Sequence, residues 1–497
     1  MENERKLMYI DVHAHLDFPN YDPDLDEVLA HCKAKGVKAI IVNGTQPQSN
    51  RKVLELAKKH EVEFAAVGQF NRSGRFSCKF KGKTVMSLDM DFLHKGVPQM
   101  KLKAAWKKPS HKEPDFACPQ NLSETLKKLL ARLNICSKEY IVRQYDHEVQ
   151  AGSAVKPLEG EENDGPSDAG VVRPILSSNE GIVVSNGIIP RYSDIDSYWM
   201  AACSIDEAVR NAIATGSRFD YLAGLDNFCW CDPVASEKTP DGEYKLAQLV
   251  RANKALYDYT TAMLVPCISG KDSMKNDYMI GKTKISIPPT LLYSIVGKID
   301  DANKAVTIDA KKGGDFVYVL GITKNELGAS EYFAMHNSIG NSVPTVDFAS
   351  AASLYKSLSS AIAKGFVASC HDCSDGGLGV ALAETAFSGN LGMEIDLRKV
   401  PAEGVSRDDY LLFSESASRF VVTVSPKFKE DFERELRAAA APAHAPNAKN
   451  SALPFAFAEI GKVNSNERIA IIGLSGEKIM DILSRELKEE WQKTMKW

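Results

Sequence analysis

The chain has 497 residues, more than a single hydrophobic core of about 250–300 residues accommodates, so several domains are expected. Its 44% hydrophobic and 25% charged residues are those of a globular protein, and a net charge of −4 argues against bulk attraction to nucleic acid or anionic membrane. No apolar run approaches the roughly 18 residues of a membrane span, and the charged opening MENERKLM does not read as a signal peptide, so a cytoplasmic protein without a membrane partner is expected.

From residue 7 to 68 strand and helix patterns alternate. A strand is expected at 7–10, a helix at 25–35 with Leu25, Val28, Leu29 and Cys32 on one face, a strand at 37–42, a helix at 50–60 and a strand at 63–67. Such alternation predicts parallel pairing. Asp11-Val-His13-Ala-His15-Leu-Asp17 closes the first strand, and two His two apart point the same way, within reach of one ion. This stretch, with Gly36-Val-Lys-Ala-Ile-Ile-Val-Asn43, resembles the opening of the TatD-type metal-dependent deoxyribonucleases. The resemblance implies a (β/α)₈ barrel whose other ligands come from later strands, but it stops at Ala65-Ala-Val-Gly68. His13 and His15 alone are therefore expected to bind metal poorly, and the segment to be catalytically inert.

Past Gly68 the pattern changes. Residues 72–91 alternate apolar and polar positions and predict an antiparallel hairpin turning at Lys81-Gly82-Lys83. Eleven Lys/Arg against three acids from Asn71 to Glu113 give a local excess of +8. This is read as the solvated face of the hairpin rather than as a nucleic-acid contact. A connector with Pro109, Pro114 and Pro119 follows, then a helix at 122–133 carrying Leu122, Leu126, Leu129, Leu130 and Leu133. Polar, Gly/Pro-rich residues 157–166 and Lys311-Lys-Gly-Gly314 mark boundaries, with a mixed α/β unit between them and a second after them. Helices are expected at 351–364 and 427–439, and an Ala/Pro-rich surface insertion at 438–452. The ten cysteines, including Cys229-x-Cys231 and a lone Cys370-x-x-Cys373, are read as reduced structural thiols.

Four stretches carry chemistry: Asn163-Asp-Gly-Pro-Ser-Asp-Ala169, the helix opened by Ser193-x-x-Asp196, Ser269-Gly-Lys-Asp-Ser-Met274, and Ser369-Cys-His-Asp-Cys-Ser-Asp-Gly-Gly377. Glu207 and Asn211 stand one helical turn apart. The third stretch, after an expected buried strand at 264–268, is not a Walker P-loop, because Val265 stands where Gly is needed and Asp272 where Ser or Thr is needed. Asp168, Glu207, Asn211 and Asp272 are all hard oxygen donors suited to Mg²⁺ beside phosphates, while Gly270 permits close backbone approach and Lys271 adds charge.

These motifs, with YDHEVQAGS (145–153), AGLDNFCWCDPV (223–234), TPDGEYKLAQLVRANKAL and VPCISGKDSMKNDY, resemble the second half of phosphoribosylformylglycinamidine synthase. SGRFSCKFKGKTVMSLDMDFLHKGVP (73–98) resembles the end of that family's first half. The resemblance covers about residues 69–497 and implies ATP-dependent amidation of formylglycinamide ribonucleotide. Together the two resemblances imply α/β and α+β architecture in several domains: a TatD-like fragment (1–68), then a hairpin (69–115), a helical linker (116–160), an aminoimidazole ribonucleotide synthetase-like N-terminal sheet domain (161–305) and a C-terminal α/β domain (311–480). By motif, Asp168, Glu207, Asn211 and Asp272 are implied as Mg²⁺ ligands, and Ser167, Gly270, Lys271 and Ser273 as neighbours of bound ATP or ADP. SDGGL (374–378) and Leu411-Leu-Phe-Ser-Glu-Ser416 are also family patterns, read here as packing loops.

No S-H-N-H-P motif of the first half occurs, nor a Cys in a G-x-C-x-G elbow, so the resemblance implies a separate glutaminase subunit. The sheet of the second half would lack its usual partner, and a homodimer is expected. A Mg²⁺-nucleotide module without turnover, and a metal-dependent DNase built on residues 1–68, are the alternative readings.

Overall fold

The computed structural model describes residues 9–44, 46–62, 68, 69, 71–147, 149–439 and 454–497. It divides into two compact units, Met1–Met100 and Lys101–Trp497. The expected strand at 63–67 and most of the expected insertion at 438–452 lie outside the described residues.

In the first unit β1 (Tyr9–Ala14) is followed by α1 (Leu25–Ala34) and by β2 (Val37–Val42), which pairs parallel with β1. Next comes α2 (Pro47–Lys59), entered through Gln46, whose N–H donates to Ser49 Oγ at 2.8 Å. The expected hairpin is present as β3 (Arg75–Phe80) and β4 (Lys83–Asp89). It turns at Lys81 and Gly82, both at positive φ (47° and 78°), the geometry of a tight two-residue hairpin turn. Asp89 caps α3 (Met90–Lys95) by accepting from the Asp91 N–H.

The second unit begins with residues 101–119, which contain no helix or strand yet are held by aromatic contacts. Trp106 stacks on Tyr244 with centroids 5.5 Å apart and carries the Arg251 guanidinium 4.5 Å above its ring, and Phe116 stacks on His336 at 3.9 Å. Residues 101–115 thus group with the body of the chain, whereas the sequence reading gave them to the hairpin. Asn121 caps α4 (Leu122–Leu130), whose four leucines are buried. The helix stops short of Leu133, which is 67% exposed.

After α5 (Glu139–Val142) come β5 (Ser153–Val155), β6 (Gly170–Val172), β7 (Gly181–Gly187), α6 (Ser197–Ala214), β8 (Leu222–Cys229) and α7 (Gly242–Met263). Then follow β9 (Cys267–Ser273), the hairpin β10 (Asp277–Ile280) and β11 (Thr283–Ser286), and β12 (Thr290–Ile299). Six of these strands form one sheet in the order β5-β6-β7-β12-β8-β9. Strand β7 shows its amphipathic logic: Val183 and Ser185 are buried, while Ile182 and Val184 face outward.

The expected buried strand at 264–268 is not formed. Leu264 adopts a left-handed conformation (φ 56°) that caps α7, and the strand that follows is an edge carrying Ser269 to Ser273 itself, with Ile268 65% exposed.

A second sheet contains β13 (Phe316–Leu320), and the short β14 (Thr323–Lys324) follows. After α8 (Glu331–Met335) and α9 (Phe348–Ala363) come β15 (Ser369–Asp372), α10 (Gly377–Ser388), β16 (Gly392–Asp396) and β17 (Ala402–Glu403). Then come α11 (Asp408–Phe413), β18 (Phe420–Val424), α12 (Lys429–Ala439), β19 (Phe457–Asn464), β20 (Arg468–Ile472), β21 (Lys478–Leu483) and α13 (Ser484–Lys493). The sheet order is β15-β18-β13-β19-β16-β20-β21. Val209 and Ile213 of α6, Tyr355 of α9 and Val422 of β18 share one core, which fuses the two α/β layers. Each aliphatic side chain so buried contributes about 1.5–3 kcal/mol. The interlock sets α6 against β15, and the site lies there. No helix among the described residues is long and apolar enough to cross a membrane.

Candidate functional site

Helix α6 places Glu207 and Asn211 one turn apart on the side that meets the end of β7. Gly187 makes this approach possible, since a Cβ there would lie 2.1 Å from the Ser204 carbonyl oxygen. Glu207 Oε2 accepts the Ile188 N–H at 2.8 Å, and Asn211 Nδ2 donates to the Asn186 carbonyl at 3.1 Å. Asn211 Oδ1 is buried with no protein partner, a free neutral oxygen. Burial of its carboxyl, then the Asp372 and Asp375 carboxylates, push Glu207 up to about 8.

Asp168 ends the loop before β6, and its side chain is only 4% exposed. Its Oδ1 lies 2.7 Å from His371 Nδ1, and its Oδ2 accepts the Asp372 N–H at 3.2 Å. Ligand-capable atoms of Asp168, His371 and Asp372 all lie within 4.8 Å of one another. Asp372 is oriented from behind: its Oδ2 accepts from Arg210 Nη2 at 3.1 Å and from Ser374 Oγ at 2.5 Å. Arg210 in turn pairs with buried Asp206, which also accepts from Tyr259, Tyr355 and Ser418. This polar network ties α6, α7, α9 and β15 into one frame.

Further acids line the same seam. Burial, followed by Glu331 and Asp372, pushes Asp375 up to about 7. Burial and Asp375 push Glu415 up to about 8, although Glu415 accepts the Gly376 and Glu331 N–H groups and the Tyr192 hydroxyl. Gly377, at φ 69°, lets the turn into α10 run against the Ser414 carbonyl, where a Cβ would come within 2.2 Å. Carboxyls raised mainly by burial, in the seam that also holds an unpartnered amide oxygen, are the kind of donor set that a hard divalent cation suits.

The predicted site residues thus separate into two groups. Asp168, Glu207 and Asn211 belong to the seam, with Ser167 adjacent, its Oγ donating to the Ala169 carbonyl at 3.0 Å. Gly270, Lys271, Asp272 and Ser273 lie on β9, four strand positions from β6, about 19 Å along the sheet at a strand spacing of about 4.8 Å. Asp272 is exposed, registers with Phe228 and lies near Asp226. Asp372, by contrast, has a carboxylate oxygen within 4.8 Å of ligand-capable atoms of Asp168 and His371. Lys271 bonds its neighbour Ser273 on the same exposed edge.

Sequence reasoning missed Asp372, His371, Asp375 and Glu415. All lie in the SCHDCSDGG and LLFSES stretches, and the available signal was Asp372 and Asp375, three apart, running into Gly376-Gly377.

Comparison with known proteins defines the class first. Residues 312–445 match the model of the AIR synthase related protein, C-terminal domain, and residues 10–70 match that of the TatD related DNases. Over most of its length the chain is homologous to phosphoribosylformylglycinamidine synthase subunit PurL. It is 32% identical to the PurL of Methanocaldococcus jannaschii over 398 residues, covering 79% of this chain and 52% of that protein. It is 28% identical to the PurL of Thermoplasma volcanium over 447 residues, covering 90% and 54%. Among solved structures, PurLQS from Thermotoga maritima superposes with a TM-score of 0.53 at 17% identity, covering 77% of this chain and 53% of that one. The fold is therefore that of PurL, and the chain spans about half the length of the curated relatives it matches.

Proposed function

We propose that this chain forms part of a phosphoribosylformylglycinamidine synthase, an ATP-dependent ligase that joins ammonia to formylglycinamide ribonucleotide. Its own contribution in this reading is a site for Mg²⁺ with ATP or ADP at the α6–β15 seam. One observation carries the reading: Asp168 lies against Asp372, facing the helix that presents Glu207 and Asn211, in a chain homologous to PurL. Relatives support the ligands, since Thermotoga maritima PurL has been solved complexed with FGAR and complexed with ADP.

Asp168, Asp372, Glu207 and Asn211 would hold the cation, and Arg210 keeps Asp372 turned toward it. Bound there, Mg²⁺ would neutralise the clustered acids and fix nucleotide phosphates. Gly270, Lys271 and Ser273 have no part in the seam. Ammonia would come from a separate glutaminase subunit, in keeping with the relatives' designation as a subunit and with the PurLQS assembly. Ten free thiols fit a reducing, cytoplasmic setting.

The outward face of the six-stranded sheet exposes Ile182, Val184, Val296, Tyr221 and Ile268. We assign it to pairing with the same face of a second copy, the commonest closure for such a surface.

The chain's half-length coverage favours a second reading, a nucleotide-binding module without turnover. An assay with ATP, Mg²⁺, formylglycinamide ribonucleotide and ammonium, run beside ADP calorimetry, separates the two. Product formation supports the synthase, ADP binding without product supports the module, and no ADP binding overturns both.

A further inference from the structure

His371 lies close enough to Asp168 and Asp372 to look like a third metal ligand. Its contacts say otherwise. Nδ1 is 2.7 Å from Asp168 Oδ1, and Nε2 is 2.8 Å from Glu384 Oε2. Both ring nitrogens are thus engaged by carboxylate oxygens, one from each side, and neither is left to face a metal. The ring is 6% exposed and Glu384 8%, so water does not compete for either contact.

The three residues also belong to three different elements. Glu384 stands on α10, a helix buried along its whole length, His371 on β15, and Asp168 on the loop that leads to β6. That loop is further tied to α13, where Lys488 Nζ and Gln492 Nε2 reach Asp164 at 2.8 and 2.9 Å. A rigid helix thus aims the imidazole, and the imidazole aims the carboxylate.

We propose that Glu384 and His371 are positioning residues: Glu384 orients His371, which fixes the Asp168 carboxylate so that its remaining lone pairs face the cation. The inference rests on the seam being a metal–nucleotide site. Outer contacts of this kind set ligand geometry, and their loss typically weakens metal binding 10- to 100-fold. The competing account is that the triad merely supports the fold.

Asn and Gln at position 371 decide between them. An Asn amide nitrogen reaches the place of Nδ1, beside Asp168, whereas a Gln amide nitrogen reaches that of Nε2, beside Glu384. Both remove the ring and keep one amide donor, so both should lower the melting temperature to a similar degree. Mn²⁺ binding in the presence of ADP, read by electron paramagnetic resonance, is expected to stay within about threefold of the parent in His371→Asn. In His371→Gln it should weaken at least tenfold. Equal affinities in the two variants, or a weaker Asn variant, would overturn the positioning role while leaving the site intact. A parent protein that binds no Mn²⁺ with ADP would overturn the site reading and this inference together.

Discussion

The Glu159 carboxyl is buried beneath residue 308, whose N–H donates to Oε1 at 2.6 Å, while Oε2 has no protein partner. Burial raises this acid from 4.5 to about 8, with Asp168 and Asp309 adding to the shift. The sign follows from proton counting. Between about pH 4.5 and 8 the unfolded chain has released this proton and the folded chain has kept it, so stability falls as pH rises through that window. Below the window the group has no effect, and above it the full cost persists. Glu159→Gln keeps the acceptor for the residue 308 N–H and removes the charge. Thermal melts should show the variant gaining on the parent by a few kcal/mol at pH 8.5 and by little at pH 5. The same difference at both pH values would mean that Glu159 is not held protonated. Burial also raises its neighbour Asp168, which differs in having His371 beside it as a partner that works against the shift.

At the scale of elements, much was legible where local pattern decides structure. The Glu207/Asn211 spacing on α6, the hairpin turn at Lys81-Gly82 and the loop ending at Asp168 all stand where the residues put them. The failures have physical causes. Leu264 to Ile268 is an apolar run, and periodicity cannot tell a buried strand from a helix cap followed by an edge strand. The partner of Asp168 is Asp372, 204 residues away, and only tertiary packing brings them together. The acids in SDGGL and LLFSES were read as packing loops because nothing in their spacing reveals the element they face. The β1–β2 fragment shows the converse, a local motif without its wider context. His13 and His15 bring their Nε2 atoms within 3.1 Å, but among the described residues of this unit no third His, Cys, Asp or Glu joins them in a cluster. DNA incubated with the protein and Mg²⁺ or Mn²⁺ should therefore remain intact. Cleavage lost in His13→Ala would show that two imidazoles suffice.

At the scale of the whole molecule, the sheet of the second unit has one face packed under α6 and α7, and the other carries exposed aliphatic and aromatic side chains. Light scattering at micromolar concentration should give twice the monomer mass, and an Ile182→Glu, Val184→Glu double variant should return the monomer. A parent that is already monomeric would remove the pairing. The site does not depend on that outcome, because its ligands come from α6, the 163–168 loop and β15 of one chain. Calorimetry of ADP binding in the presence of Mg²⁺ tests this most directly, on the parent, Asp372→Asn and Asp272→Asn. The seam predicts that Asp372→Asn weakens binding at least tenfold, about 1.4 kcal/mol, and that Asp272→Asn stays within about twofold of the parent. Loss of binding in Asp272→Asn with retention in Asp372→Asn would contradict the account and move the site to the edge strand.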